Sequence, residues 1–191
     1  MIDERKGEEY GSGPNSLRFP LVTDNDFLDV GIADGFVWIR LKGKGSFANS
    51  PSLRGFIERS MESGETRFVI DLGECPAMDS TFMGTLAGLA MRLSKNPEGR
   101  LQLNGVCERN RESLGDLGLD ELLEIDPVDS EWRPHVDDVR ETLEPLEEDG
   151  EESADPEHLL EAHRKLCEAS EGNVKKFSTV LEVLEQRAAG E

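Results

Sequence analysis

The chain has 191 residues, with 21 Lys and Arg against 41 Asp and Glu, a formal net charge of −20. That length holds one domain of ordinary size plus an extension, and the charge repels phosphate backbones and anionic lipid surfaces, which excludes nucleic acid and membranes as expected partners. Hydrophobic residues make up 36% of the chain, and no apolar run approaches the ~18–20 residues of a membrane span.

The start, MIDERKGEEYGSGP, has no apolar leader core, so a cytoplasmic protein is expected. Cys75, Cys107 and Cys167 are odd in number and far apart. They read as free thiols suited to a reducing compartment, packed as small apolar residues.

Residues 1–20 are polar and lack any apolar period, which predicts a disordered tail. Phe27 to Ile32 and Phe36 to Leu41 are strand candidates, and Asp34-Gly35 between them is a hairpin signal because both residues tolerate positive φ. Leu53, Phe56, Ile57 and Met61 fall at helical spacing over 52–62, ended by Gly64. Gly43-Lys44-Gly45-Ser46 lacks P-loop spacing and reads as an ordinary loop. Arg67 to Leu72 is nearly continuous in apolar residues, as in a strand buried on both faces.

A second helix is predicted over 80–94, with Met83, Leu86, Ala90 and Leu93 on one face, then a strand over 100–106. Leu114, Leu117, Leu119, Leu122 and Leu123 mark a broken helical segment leading to a short strand at Ile125. The order β-β-α-β-α-β-α-β predicts an α/β fold, a mixed sheet with helices packed against it, over residues 24–128.

Between 141 and 157 there are nine acidic residues and no Lys or Arg, so 129–156 is predicted to be an acidic linker with room for a short helix. Residues 157–188 predict one amphipathic helix, opened by Asp155-Pro156-Glu157. Its apolar stripe, interrupted by His163, Ser170 and Asn173, supports weak dimerisation or docking on the domain. His163 and Cys167 are one turn apart, but His158 lies about 140° around the helix from His163. Two convergent ligands are too few for zinc, and neither metal nor cofactor is expected.

The chemistry concentrates in Asp71-Leu72-Gly73-Glu74-Cys75-Pro76-Ala77-Met78-Asp79-Ser80-Thr81-Phe82-Met83-Gly84, where a buried strand ends in a loop that opens a helix. Asp79 or Ser80 is placed to cap that helix, and a hydroxyl at a helix N-terminus is a favourable place for a phosphate. Together with the small-residue helix Gly84 to Leu89 and the element order, this turn resembles the STAS domain of bacterial anti-sigma factor antagonists. The likeness runs over about 24–128.

The resemblance implies a non-enzymatic regulator in which Ser80 is the phosphoacceptor, with Thr81 the second choice. It implies a partner surface of Met78, Asp79, Thr81, Phe82 and Met83, an anti-sigma factor with serine kinase activity as partner, and a serine phosphatase that resets the switch. The family has Gly where Phe82 stands, and a partly exposed ring is expected there, either obstructing the kinase or anchoring a different partner. The alternative is a scaffold module that no longer switches and works through its C-terminal helix.

Overall fold

The computed structural model describes residues 27–147 and 155–188. The tail expected over 1–20 and the stretch 148–154 of the expected linker lie outside them. Strands β1 (Phe27–Ala33) and β2 (Phe36–Lys42) form the predicted hairpin. Asp34 and Gly35 take φ of 51° and 72°, the left-handed pair whose twist suits a two-residue connection. Helix α1 (Ser50–Glu62) follows, then β3 (Arg67–Glu74), α2 (Ser80–Leu93), β4 (Arg100–Asn104), α3 (Glu108–Asp116) and β5 (Glu124–Ile125). The third helix begins at Glu108 rather than near Leu114, yet Leu114, Leu117 and Leu119 are all buried as their spacing requires.

The sheet has the order β5-β4-β3-β2-β1-β6, with β6 the short strand Glu144–Pro145. Strands β2 to β5 are parallel, and β1 is antiparallel to both of its neighbours. Alternation along the strands gives two faces. Ile39, Leu41, Phe68, Ile70, Leu72, Leu101 and Leu103 join Leu53, Ile57, Phe82, Leu86 and Leu93 in the main core. Phe36, Trp38 and Val69 point the other way and meet Trp132 and Val139 in a second, smaller core.

That second core corrects the linker expected over 129–156. Trp132 is fully buried and stands edge-on to Trp38, with ring centroids 5.4 Å apart. Its indole N–H donates to the Gln102 side chain on β4. Helix α4 (Val136–Arg140) brings Val139 onto the same face. Arg140 clamps the buried Asp71 carboxylate with two hydrogen bonds, of 2.7 and 2.9 Å. Asn104 and the Gly73 amide donate to the same carboxylate. Up to residue 147 the acidic segment is therefore the lid on the sheet's second face. A fragment ending at 128 would leave Trp38 and Val69 without this cover.

The single helix expected over 157–188 is two helices, α5 (Pro156–Ala169) and α6 (Glu171–Ala188). The chain is extended at Ser170, φ −153° and ψ 135°. Asn173 secures the corner by donating to the Leu117 and Leu166 carbonyls, at 2.9 and 2.8 Å. Asp155 caps α5 through the His158 amide, as its position before Pro156 predicted. Both helices dock on their own domain, where Leu166 enters the main core.

Trp132→Ala removes one of the two tryptophans of the second core. A loss of about 3–5 kcal/mol is expected from a buried aromatic truncation, read as a lower urea midpoint with an unchanged slope.

Candidate functional site at the start of helix α2

Strand β3 delivers the chain to a loop, 75–79, that is tied to the loop after β2. Gly45 donates to Ala77 at 3.0 Å and accepts from the Asp79 amide at 2.9 Å. The Asp79 carboxylate then serves two chains at once. One oxygen accepts from the Phe82 amide at 2.8 Å, capping α2, and the other accepts from the Phe47 amide at 2.8 Å. The cap predicted from sequence is thus also the staple that fixes the loop before α1 beside the start of α2.

Ser80 occupies the first position of α2 and is half-buried. Its hydroxyl lies 3.1 Å from His163 Nε2 on α5, while His163 Nδ1 lies 2.8 Å from the Leu159 carbonyl. The carbonyl can only accept, so Nδ1 carries the proton and Nε2 accepts from the Ser80 hydroxyl. His163 also packs edge-on against Phe177 of α6, with ring centroids 5.3 Å apart. The sequence placed His163 on a helical seam, and nothing in its neighbours pointed to Ser80, 83 positions away.

Met78 and Asp79 are half-buried beside Ser80, whereas Thr81, Phe82 and Met83 are buried. For Phe82 this is a correction. The ring is fully buried in the main core and lies under Gly45, where a Cβ would come within 2.7 Å of it. The absent side chain at Gly45 makes the room, so the ring neither obstructs the approach to Ser80 nor offers a partner an anchor. The stripe Phe82-Leu86-Leu89-Leu93, every member buried, carried that signal in the sequence.

Helix α5 lies across the same end of α2. A Cβ on Gly84 would meet the Ala162 carbonyl oxygen at 2.2 Å, so the two backbones touch where α2 has no side chain. At its N-terminal end α5 is held to α1. His158 Nε2 lies 2.8 Å from the Ser50 hydroxyl, and Arg54 pairs with Glu161 at 2.7 Å. Burial and the Arg54 guanidinium push the His158 imidazole down to about 4 from 6.5, with Glu161 and Asp155 opposing. His158 and His163 are thus engaged by two different serines. Among the described residues, no group of three or more His, Cys, Asp or Glu is placed to hold a metal ion. Cys75 is buried, which raises its thiol pKa, and Asn110 donates to its carbonyl at 2.9 Å.

The STAS domain family model matches residues 28–144, well over half of the chain. The chain belongs to the STAS family. The match extends beyond residue 128 to include the Trp132 and Arg140 lid, and it ends before α5. No curated protein sequence matches. Among solved structures, the chain is similar to a Thermotoga maritima protein described as an anti-sigma factor antagonist, at 17% identity and TM-score 0.50, covering 59% of this chain and 94% of that one. It is also similar to the Bacillus cell fate determinant SpoIIAA in its phosphorylated form, at 22% identity and TM-score 0.45, covering 59% and 99%. A sulfate transporter family protein from Wolinella succinogenes matches at 19% identity and TM-score 0.41, covering 59% and 93%. These likenesses are of fold. Among the described residues of this STAS protein, no helix is long and apolar enough to cross a membrane.

Two outcomes test the site's packing. Phe82→Gly should cost about 3–5 kcal/mol for the lost ring and about 1 kcal/mol more for glycine within a helix, seen as a large fall in melting temperature. For His158 the folded-state pKa lies below the unfolded one. Its contribution is therefore complete above pH 6.5 and is lost as pH falls towards 4. The urea midpoint should drop more for the native protein than for His158→Gln across that window.

Proposed function

We propose that this STAS protein is a cytoplasmic, non-enzymatic switch of the anti-sigma factor antagonist type, phosphorylated at Ser80. The observation that carries the reading is the placement of Ser80. It sits where β3 hands over to α2, at the first helical position, with its backbone turn fixed by the Asp79 carboxylate. Amide groups in a first helical turn and the helix dipole both favour an added phosphate. A phosphoserine brings roughly −1.5 to −2 charge at pH 7, enough to reject a partner surface that accepts the neutral hydroxyl.

The partner is an anti-sigma factor with serine kinase activity, and a serine phosphatase restores the hydroxyl. Contacts from this protein come from Met78, Asp79 and Ser80. Thr81 is the less suited acceptor, because its side chain is buried behind the turn. Phe82 belongs to the core and Met83 is also buried, so neither supplies contact area in this conformation.

A second reading has its own support. The Ser80 hydroxyl is already engaged by His163, as suits a scaffold that has lost its switch and uses α5 and α6 as its working surface. Co-expression with serine kinases encoded beside its gene, followed by phosphosite mapping, separates the two. Phosphate should appear on Ser80 and vanish in Ser80→Ala, while Ser80→Asp should weaken partner binding at least tenfold. Phosphate confined to other residues would favour the scaffold.

A further inference from the structure

Helices α5 and α6 lie outside the residues that match the STAS family, yet they sit on the surface to which the proposed switch belongs. Several contacts hold α5 there, besides His158 on Ser50 and Leu166 in the main core. His163 takes the Ser80 hydroxyl, the Ala162 backbone rests on Gly84, and Glu161 pairs with Arg54 of α1. Further along α2, the Lys165 stem covers Gly88, where a Cβ would stand 3.2 Å from Lys165 Cγ.

The geometry points to a helix-accepting partner surface, formed by Ser80, Gly84 and Gly88 of α2 with Arg54 of α1, on which α5 is the resident and displaceable occupant. The inference rests on the switch reading only for the meaning of Ser80. The seat itself stands on the packing.

Several features suit a removable occupant. At Gly84 the seat is bare backbone, although Leu160 and Leu166 of α5 are buried and would be exposed when it leaves. His158 is buried with Nδ1 unpaired among the described residues, a polar cost that docking bears and release removes. The Arg54–Glu161 pair is partly exposed on both sides and contributes little to holding the helix. Leu166 and Asn173 oppose release, since both are buried against the domain. The partner that fits is a helix of the same chemistry as α5, presenting a small residue to Gly84 and a carboxylate to Arg54. While α5 is seated, the Ser80 hydroxyl is closed to a kinase.

The test uses the full chain with Gly84→Ala and, separately, Ala162→Glu. Alanine favours the helical conformation of α2 over glycine but cannot coexist with the Ala162 carbonyl. Glutamate at 162 ejects α5 and leaves the seat intact. Hydrogen exchange should show α5 and α6 amides opening at least tenfold faster than those of β2 and β3 in the native protein, and unprotected in both variants with the sheet still protected. Loss of sheet protection together with the helices in both variants, or equal rates in the native protein, would make α5 and α6 an integral part of the fold and overturn the proposal.

A fluorescent peptide of residues 155–188 should bind Ala162→Glu saturably, and at least tenfold more weakly once Gly84→Ala is added. Absence of binding to Ala162→Glu also overturns it. Ser80 phosphorylation by the co-expressed kinase should rise at least tenfold in Ala162→Glu, which removes α5 and leaves the seat at Gly84 unchanged. Equal rates in the native protein and the variant would overturn the cover and leave the switch standing. Phosphate on Ser80 in neither, with the exchange and peptide results as expected, would remove the switch and uphold the seat.

Discussion

A sheet that is apolar on both faces has to be covered twice, and most of this molecule follows from that requirement. Ile39, Ile70 and Leu103 on one side and Trp38 and Val69 on the other arise from the same three strands, because successive residues point to opposite faces. The helices that alternate with the parallel strands cover the first face, as crossover connections do. No such connection supplies the second. The chain therefore returns after β5 and lays Trp132 and α4 across it, before closing the sheet with β6. The return also answers a polar problem. Asp71 lies in the middle of that face with almost no solvent exposure, and Arg140 arrives with the lid to meet it, in the bidentate geometry that makes a buried carboxylate tolerable.

The same dependence orders the candidate site. Loop 75–79 is positioned by β3 beneath it and by the loop after β2 beside it, and Asp79 joins the two through both carboxylate oxygens. Gly45 lets Phe82 turn inward, so the first turn of α2 is anchored from below as well as capped from its end. Ser80 is left as the position where that rigid turn meets α5. The hydroxyl is presented by the family domain and received by the extension, which is why the two parts of the chain are best understood at this contact.

The sequence was most legible where the deciding interactions are local. Asp34-Gly35 specified its hairpin, the nearly continuous apolar run at Phe68 to Leu72, broken by Asp71, specified a strand buried on both faces, and Asp79 specified the start of α2. It was least legible where the partner is remote. Trp132, Val136 and Val139 do recur at helical spacing, but they sit in an acidic stretch whose composition resembles a linker. Their meaning appears only once Trp38 and Val69 are seen to lack a cover. The inward turn of Phe82 depends on a glycine 37 positions earlier. The corner at Ser170 depends on carbonyls of Leu117 and Leu166, which Asn173 reaches only after the two helices have docked. The residues that meet Ser80 and Gly84 carry no signal in their own surroundings, because an Ala and a His on an amphipathic helix are ordinary there.

The two outermost strands have a consequence for how this protein meets others. Each is only two residues long, Glu124–Ile125 at one border and Glu144–Pro145 at the other. Proline offers no amide to a further strand, and so short a border gives an incoming chain almost no ladder to extend. Recruitment by β-augmentation, and runaway sheet-to-sheet aggregation with it, is therefore discouraged at both ends. The glutamates at both borders add charge repulsion in a molecule already at −20. Recognition is left to the helical layer, where side chains rather than unpaired backbone decide what binds.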